Sequence, residues 1–188
     1  MFSMPKSKEV SVFPEGSIDT FSVWGQVPLS SLHEGVHGKI SPPGGEREGF
    51  MTILVIDGQG GRLGQRLVEQ IKNNFPHAEL IAVGTNSTAT ENMLKSGADR
   101  AATGENAVVV ASRSADIIVG PLGIAVADSL LGEISPAMAN AVAASKAYRV
   151  LIPMNLCGTY VAGVSQSSTN IVKDAMEHIK SLVEEMRS

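Results

Sequence analysis

The chain carries one cysteine in 188 residues. That excludes an internal disulfide framework and fits a reducing compartment, so the expected location is cytoplasmic. Its four histidines, His33, His37, His77 and His178, are scattered, and with a single cysteine they make no metal-ligand spacing. No basic cluster offsets the net charge of −4, so nucleic acid is not an expected partner. No apolar run approaches the ~18 residues that a membrane span needs. No basic, then apolar, then small-residue signal opens the chain. What is present is a hydrophobic content of 43% and 19 glycines, in a length that suits one α/β domain.

The stretch that organises the rest is MTILVIDGQGGRLGQRLVEQI, Met51 to Ile71. Ile53, Leu54, Val55 and Ile56 form an apolar run. Gly58, Gly60, Gly61 and Gly64 follow. Leu63, Leu67, Val68 and Ile71 then recur at helical spacing. A strand, a glycine turn and a helix offer backbone N–H groups and a positive helix end to a phosphate. The dinucleotide fingerprint is G-x-G-x-x-G after a strand. Here position 63 is Leu and the third glycine arrives one residue late, at Gly64. The ATPase and GTPase loop requires Lys and Ser/Thr after its last glycine; Gln65 and Arg66 stand there instead, which excludes it. The alternative is that the glycines only permit a tight turn against neighbouring backbone.

Residues 1–50 read differently. They hold Pro5, Pro14, Pro28, Pro42 and Pro43, with many Ser and Gly and no periodicity. Such a composition buries no core and is expected to be disordered. GGEREGF, Gly44 to Phe50, is codable largely by purines and lies just before Met51. The expectation is a misassigned start, with the natural protein beginning at Met51; the alternative is a genuine disordered extension.

From Met51 strands and helices alternate. The pattern predicts a helix over Arg62–Asn74, a strand over Glu79–Val83, and a second helix carrying Ala89, Met93 and Leu94 that closes at Gly97. A short strand over Ala98–Thr103, a helix over Glu105–Ser112 and a strand over Ala115–Val119 follow. Then come an Ala-rich helix over Pro136–Lys146 with Ser135 as N-cap, a strand over Arg149–Ile152, and a further strand over Val161–Val164. The last helix is Asn170–Met186, capped by Thr169. Alternating β and α units with almost wholly apolar strands predict a three-layer α/β Rossmann-like sandwich, its sheet mostly parallel and helices on both faces.

Ligands in such sheets bind beyond the carboxyl ends of the strands. The candidate cofactor-binding residues are therefore Asp57, Gly58, Gln59, Gly60, Gly61, Arg62 and Gly64, with Thr85, Asn86, Gly120 and Pro121 from neighbouring strand ends. Gly60 is expected nearest the phosphates. Asp57 can orient a ribose or hold a metal through water; equally it can bond turn N–H groups. An acid normally stands near the end of the second strand to hold the ribose 2′-OH of NAD. Gly84, Thr85 and Asn86 occupy that place, and Thr85, Asn86 and Ser87 can receive a 2′-phosphate. Glu105, beside Asn106, is either a general base or a favourable charge at a helix start. Cys157 lacks an obvious His, Lys or Arg partner, and an inert thiol is the plainer expectation.

VIDGQGGRLG, GTNSTAT, ATGENA, ADIIVGP, GEISPAMANAV and the stretch around NLCG together resemble a bacterial family of short proteins, the domain of unknown function 3842. The resemblance runs roughly from Met51 to Val164. It implies a Rossmann-like fold, proteins beginning near Met51, and no assigned activity or catalytic residues. Arg62 stands where another glycine is expected; it narrows the turn and can also reach an anion.

Two functions remain in view. One is a nucleotide-linked enzyme, most plausibly a NAD(P)-dependent oxidoreductase. The other is a non-catalytic nucleotide or small-ligand sensor. Fold alone does not choose between them. The small apolar face Met138, Ala139, Val142 and Ala143 suggests a homo-oligomer.

Overall fold

A computed structural model describes residues 51–154, 159–161 and 168–187. The first fifty residues, residues 155–158 with Cys157, and residues 162–164 lie outside that set, and with them the expectations about the start site and that thiol.

Five strands form one sheet, all parallel, in the order β3-β2-β1-β4-β5. They are β1 (Thr52–Asp57), β2 (Glu79–Gly84), β3 (Arg100–Thr103), β4 (Ile117–Pro121) and β5 (Tyr148–Ile152). The helices are α1 (Arg62–Asn74), α2 (Ser87–Lys95), α3 (Glu105–Ala111), α4 (Ser129–Gly132), α5 (Pro136–Ala144) and α6 (Ser168–Arg187). The α/β Rossmann-like sandwich expected from the sequence is what forms.

β1 is central and every one of its residues is buried. Side chains alternate across a strand, and the two cores show it. Ile53 and Val55 pack with Leu67, Val68 and Ile71 of α1, Met93 of α2, and Val172, Met176 and Ile179 of α6. Leu54 and Ile56 face the other way, onto Val108 of α3 and Met138, Ala139 and Val142 of α5. Each fully buried aliphatic side chain contributes about 1.5–3 kcal/mol, which is why this uncharged run sits at the centre. Of the α5 face that suggested a second copy of the chain, Met138, Ala139 and Val142 are buried in the core while Ala143 is exposed.

Several boundaries move for identifiable reasons. β4 begins at Ile117 rather than Ala115, because the Asp116 carboxylate accepts the Thr52 N–H at 2.7 Å and closes the entry turn. β3 is confined to four residues. α5 ends at Ala144, where the Ser145 hydroxyl donates to the Ser112 carbonyl at 2.6 Å. α6 starts at Ser168, ahead of the expected Thr169 cap. Val161 is not in a strand. Two features had no sequence expectation: a 3₁₀ turn over Leu122–Ala125 and the single turn α4. No helix among the described residues is long and apolar enough to cross a membrane.

The order of the strands positions the site. From β1 the chain first winds outward through β2 and β3, then returns to place β4 and β5 on the other side. The reversal leaves a crevice at the carboxyl ends of β1 and β4, where open α/β sheets take their ligands.

Candidate functional site

The crevice is built from the turn that joins β1 to α1. The Gly61 N–H donates to the Gly58 carbonyl at 2.9 Å, closing a four-residue turn. Gln59 has φ 50° and Gly61 φ 64°, left-handed backbone that disfavours a side chain. Gln59 is held there from both sides. The Asn86 amide donates to its carbonyl at 2.9 Å, and its N–H donates to the Glu133 carboxylate at 2.7 Å.

Gly61 is the N-cap of α1 and has no side chain to offer the free N–H groups. Asp57 supplies the missing oxygens from the end of the strand. Its Oδ1 accepts the Gly58 N–H at 2.8 Å and its Oδ2 accepts the Gly64 N–H at 2.6 Å. Asp57 is 6% exposed. Burial pushes its pKa up and the charge of Glu133 adds to that, against the N–H groups of Gly64, Gly58 and Leu63. Of its two sequence readings, Asp57 takes the turn-bonding one. It is committed to backbone, and no group of three or more His, Cys, Asp or Glu among the described residues is placed to hold a metal.

The four glycines are not equivalent. A Cβ on Gly61 would meet the Ala89 Cα at 2.6 Å; on Gly64, the Met93 sulfur at 2.5 Å; on Gly58, the Glu133 Oε2 at 2.6 Å. Packing explains those three. Gly60 is different: it is exposed, has no left-handed φ, and a Cβ there would meet nothing within 4 Å. Its N–H takes part in no hydrogen bond among the described residues. Gly120 belongs with the packing glycines, since a Cβ there would strike the Ile56 carbonyl oxygen of β1.

A cavity of about 290 Å³ opens at this point. The turn from Asp57 to Leu63 forms one wall; Pro121, Leu130 and Met154 form the other. Arg62 lines it, is exposed, and has no ion pair among the described residues. A larger groove of about 620 Å³ runs between α1 and α6, past Arg66, Phe75 and Met176. No glycine turn or strand end opens into it, so the smaller cavity is the better site.

Thr85 and Asn86, at the tip of β2, belong to the same cluster but face a partner that the sequence did not announce. The Thr85 hydroxyl and the Asn86 amide, the latter at 3.1 Å, both donate to Oε2 of Glu133. Asn86 also caps α2 by accepting the Ala89 N–H at 2.9 Å. Burial raises the Glu133 pKa, but Thr85, Gln59 and Asn86 outweigh it and hold the carboxyl below its ordinary value. Glu133 thus occupies Thr85 and Asn86, two of the three groups expected to meet a 2′-phosphate. Ser87 is exposed at the start of α2. Glu105 is exposed in the first turn of α3 and accepts from the Ser135 hydroxyl, which fits the helix-start alternative.

No curated protein and no solved structure matches the chain. A family model does, over residues 52–184: the Domain of unknown function (DUF3842). The chain belongs to that family.

Proposed function

We propose that the chain binds a nucleotide, of the NAD(P) dinucleotide type, with a phosphate against Gly60. The observation that carries this is Gly60 itself. It is a glycine that neither backbone conformation nor neighbouring atoms require, on the wall of a cavity at the sheet's switch point. A bare Cα beside an N–H with no partner among the described residues is what close approach of a pyrophosphate needs. Arg62 lines the same wall, has no ion pair among the described residues and can reach an anion there; the α1 N-terminus beside it is already met by the Asp57 carboxylate. The site is read as a binding site rather than a catalytic one, because both oxygens of Asp57 are tied to backbone.

Calorimetry against NAD, NADP and ATP tests the proposal. Wild type is expected to bind at least one of them, and Gly60→Val is expected to lose that binding with its melting temperature kept. Absence of binding to wild type at millimolar nucleotide, or undiminished binding by Gly60→Val, refutes it.

A further inference from the structure

We propose that α6, with the groove beside it, is the contact face for a second copy of this chain, which lies antiparallel across the first. The contact does not depend on a nucleotide, and it is a different face from the α5 surface that first suggested a homo-oligomer. α6 has 20 residues and so spans about 30 Å. One side of it is committed to the core through Val172, Ala175, Met176, Ile179, Leu182 and Val183. The other side carries Lys173, Glu177, Lys180 and Glu184, all exposed. Their spacings are four, three and four residues, which puts them in one stripe along the helix. The stripe reads plus, minus, plus, minus.

Turned end for end, such a stripe reads minus, plus, minus, plus. Two copies laid antiparallel about a two-fold axis therefore set Lys173 against the partner's Glu184, and Glu177 against the partner's Lys180. Each pair occurs twice, and every contact joins opposite charges. A parallel copy in the same register would oppose like charges throughout. A patch that complements itself about a two-fold axis is what a symmetric dimer requires. The rival is a solvated face that pairs its charges within the one helix. Among the described residues only Lys173 and Glu177 do so, at 3.6 Å. Lys180 and Glu184 have no ion pair there.

The groove of about 620 Å³ gives the partner helix a seat. Lys173, Glu177 and Lys180 line it from α6, and Arg66 and Glu69 from α1. Phe75, Val172 and Met176 line it as well. A partner α6 seated there covers that apolar surface, and by the two-fold axis the partner's groove receives α6 in return. Exposed ion pairs alone contribute little. Covering the apolar lining supplies affinity, and the charges set direction and register. The expected dimer is small and reversible, with a Kd in the micromolar range.

Sedimentation velocity of the full chain over a concentration series tests this. Wild type is expected to dimerise at high micromolar concentration, and less so as salt is raised. Lys180→Glu and Glu177→Lys each turn two attractive contacts into repulsive ones, and each is expected to weaken the dimer by about tenfold or more. The positions are exposed, so both variants should keep the wild-type melting temperature. An equal mixture of the two is expected to associate again, because the 177 and 180 charges of one then oppose those of the other. The double variant Glu177→Lys with Lys180→Glu restores the alternation between copies and is expected to dimerise like wild type. A monomeric wild type at high micromolar concentration overturns the proposal. So does a dimer that both folded single variants leave intact, or a mixture of them that stays monomeric.

Discussion

Two neighbouring glycines should respond to the same substitution in opposite ways. At Gly61 an alanine must adopt φ 64°, which costs about 1–2 kcal/mol for a residue with a Cβ. Its methyl carbon would also stand 2.6 Å from the Ala89 Cα and 3.0 Å from the Ala89 carbonyl oxygen. Those are backbone atoms of α2, which cannot swing aside as a side chain can, and such over-packing costs about 1–3 kcal/mol. Gly61→Ala is therefore expected to lose about 2–5 kcal/mol, or roughly 5–15 °C in melting temperature for a domain of this size. At Gly60 the new methyl meets nothing within 4 Å and the backbone is not left-handed. Gly60→Ala is expected to leave stability unchanged or raise it by up to about 1 kcal/mol, through the reduced freedom of the unfolded chain. Thermal unfolding followed by circular dichroism, without nucleotide, reads both. If Gly60→Ala melts as early as Gly61→Ala, then Gly60 is a packing glycine like its neighbours, and the argument for ligand approach is wrong.

Other outcomes follow from the same contacts. Gly120→Ala should destabilise strongly, because its methyl would strike the Ile56 carbonyl within the β1–β4 ladder; loss of soluble folded protein on expression would show it. Asp57→Asn keeps one acceptor and turns an NH2 toward one of the Gly58 and Gly64 N–H groups, leaving a buried donor unpaired at about 1–3 kcal/mol. The folded pKa of Asp57 is raised, so its protonated form is favoured by folding. Wild type should gain on Asp57→Asn as pH falls through that raised value, visible in melting temperature against pH. Glu133 is shifted the other way: its folded pKa lies below the ordinary 4.5. Its stabilisation is present above about pH 4.5 and lost as pH falls through the folded value. The gap between wild type and Glu133→Gln should therefore close in acid, where a gap that stayed constant would remove the carboxylate from the account.

Most of the sheet was legible because its strands are short apolar runs bounded by glycine, proline or polar turns. Arg62–Asn74 is helical over the range that its apolar spacing predicts, and the Ser135 hydroxyl caps α5 by accepting the Met138 N–H at 3.2 Å. The glycine turn was legible as a turn, yet its division into packing and open positions was not. That division depends on Ala89, Met93 and Glu133, which only folding brings near. Glu133 itself was hidden for two reasons. It reaches the turn from a distant segment with no hydrophobic period, and that segment bends mainly through Asp128, Leu130 and Leu131, with Gly132 the one glycine in the run. The apolar face of α5 is legible as a face, but sequence does not say whether a sheet or a second copy covers it; Met138, Ala139 and Val142 go to the sheet.

The central claim is that a nucleotide sits at the β1–α1 turn. Amide chemical shifts of the isotopically labelled chain, titrated with NAD, test it most directly. Saturable shifts are predicted at Gly58, Gln59, Gly60, Gly61 and Arg62, with Thr85 and Glu133 following. Shifts confined to the groove between α1 and α6, around Arg66, Phe75 and Met176, or no shifts at millimolar nucleotide, would contradict it.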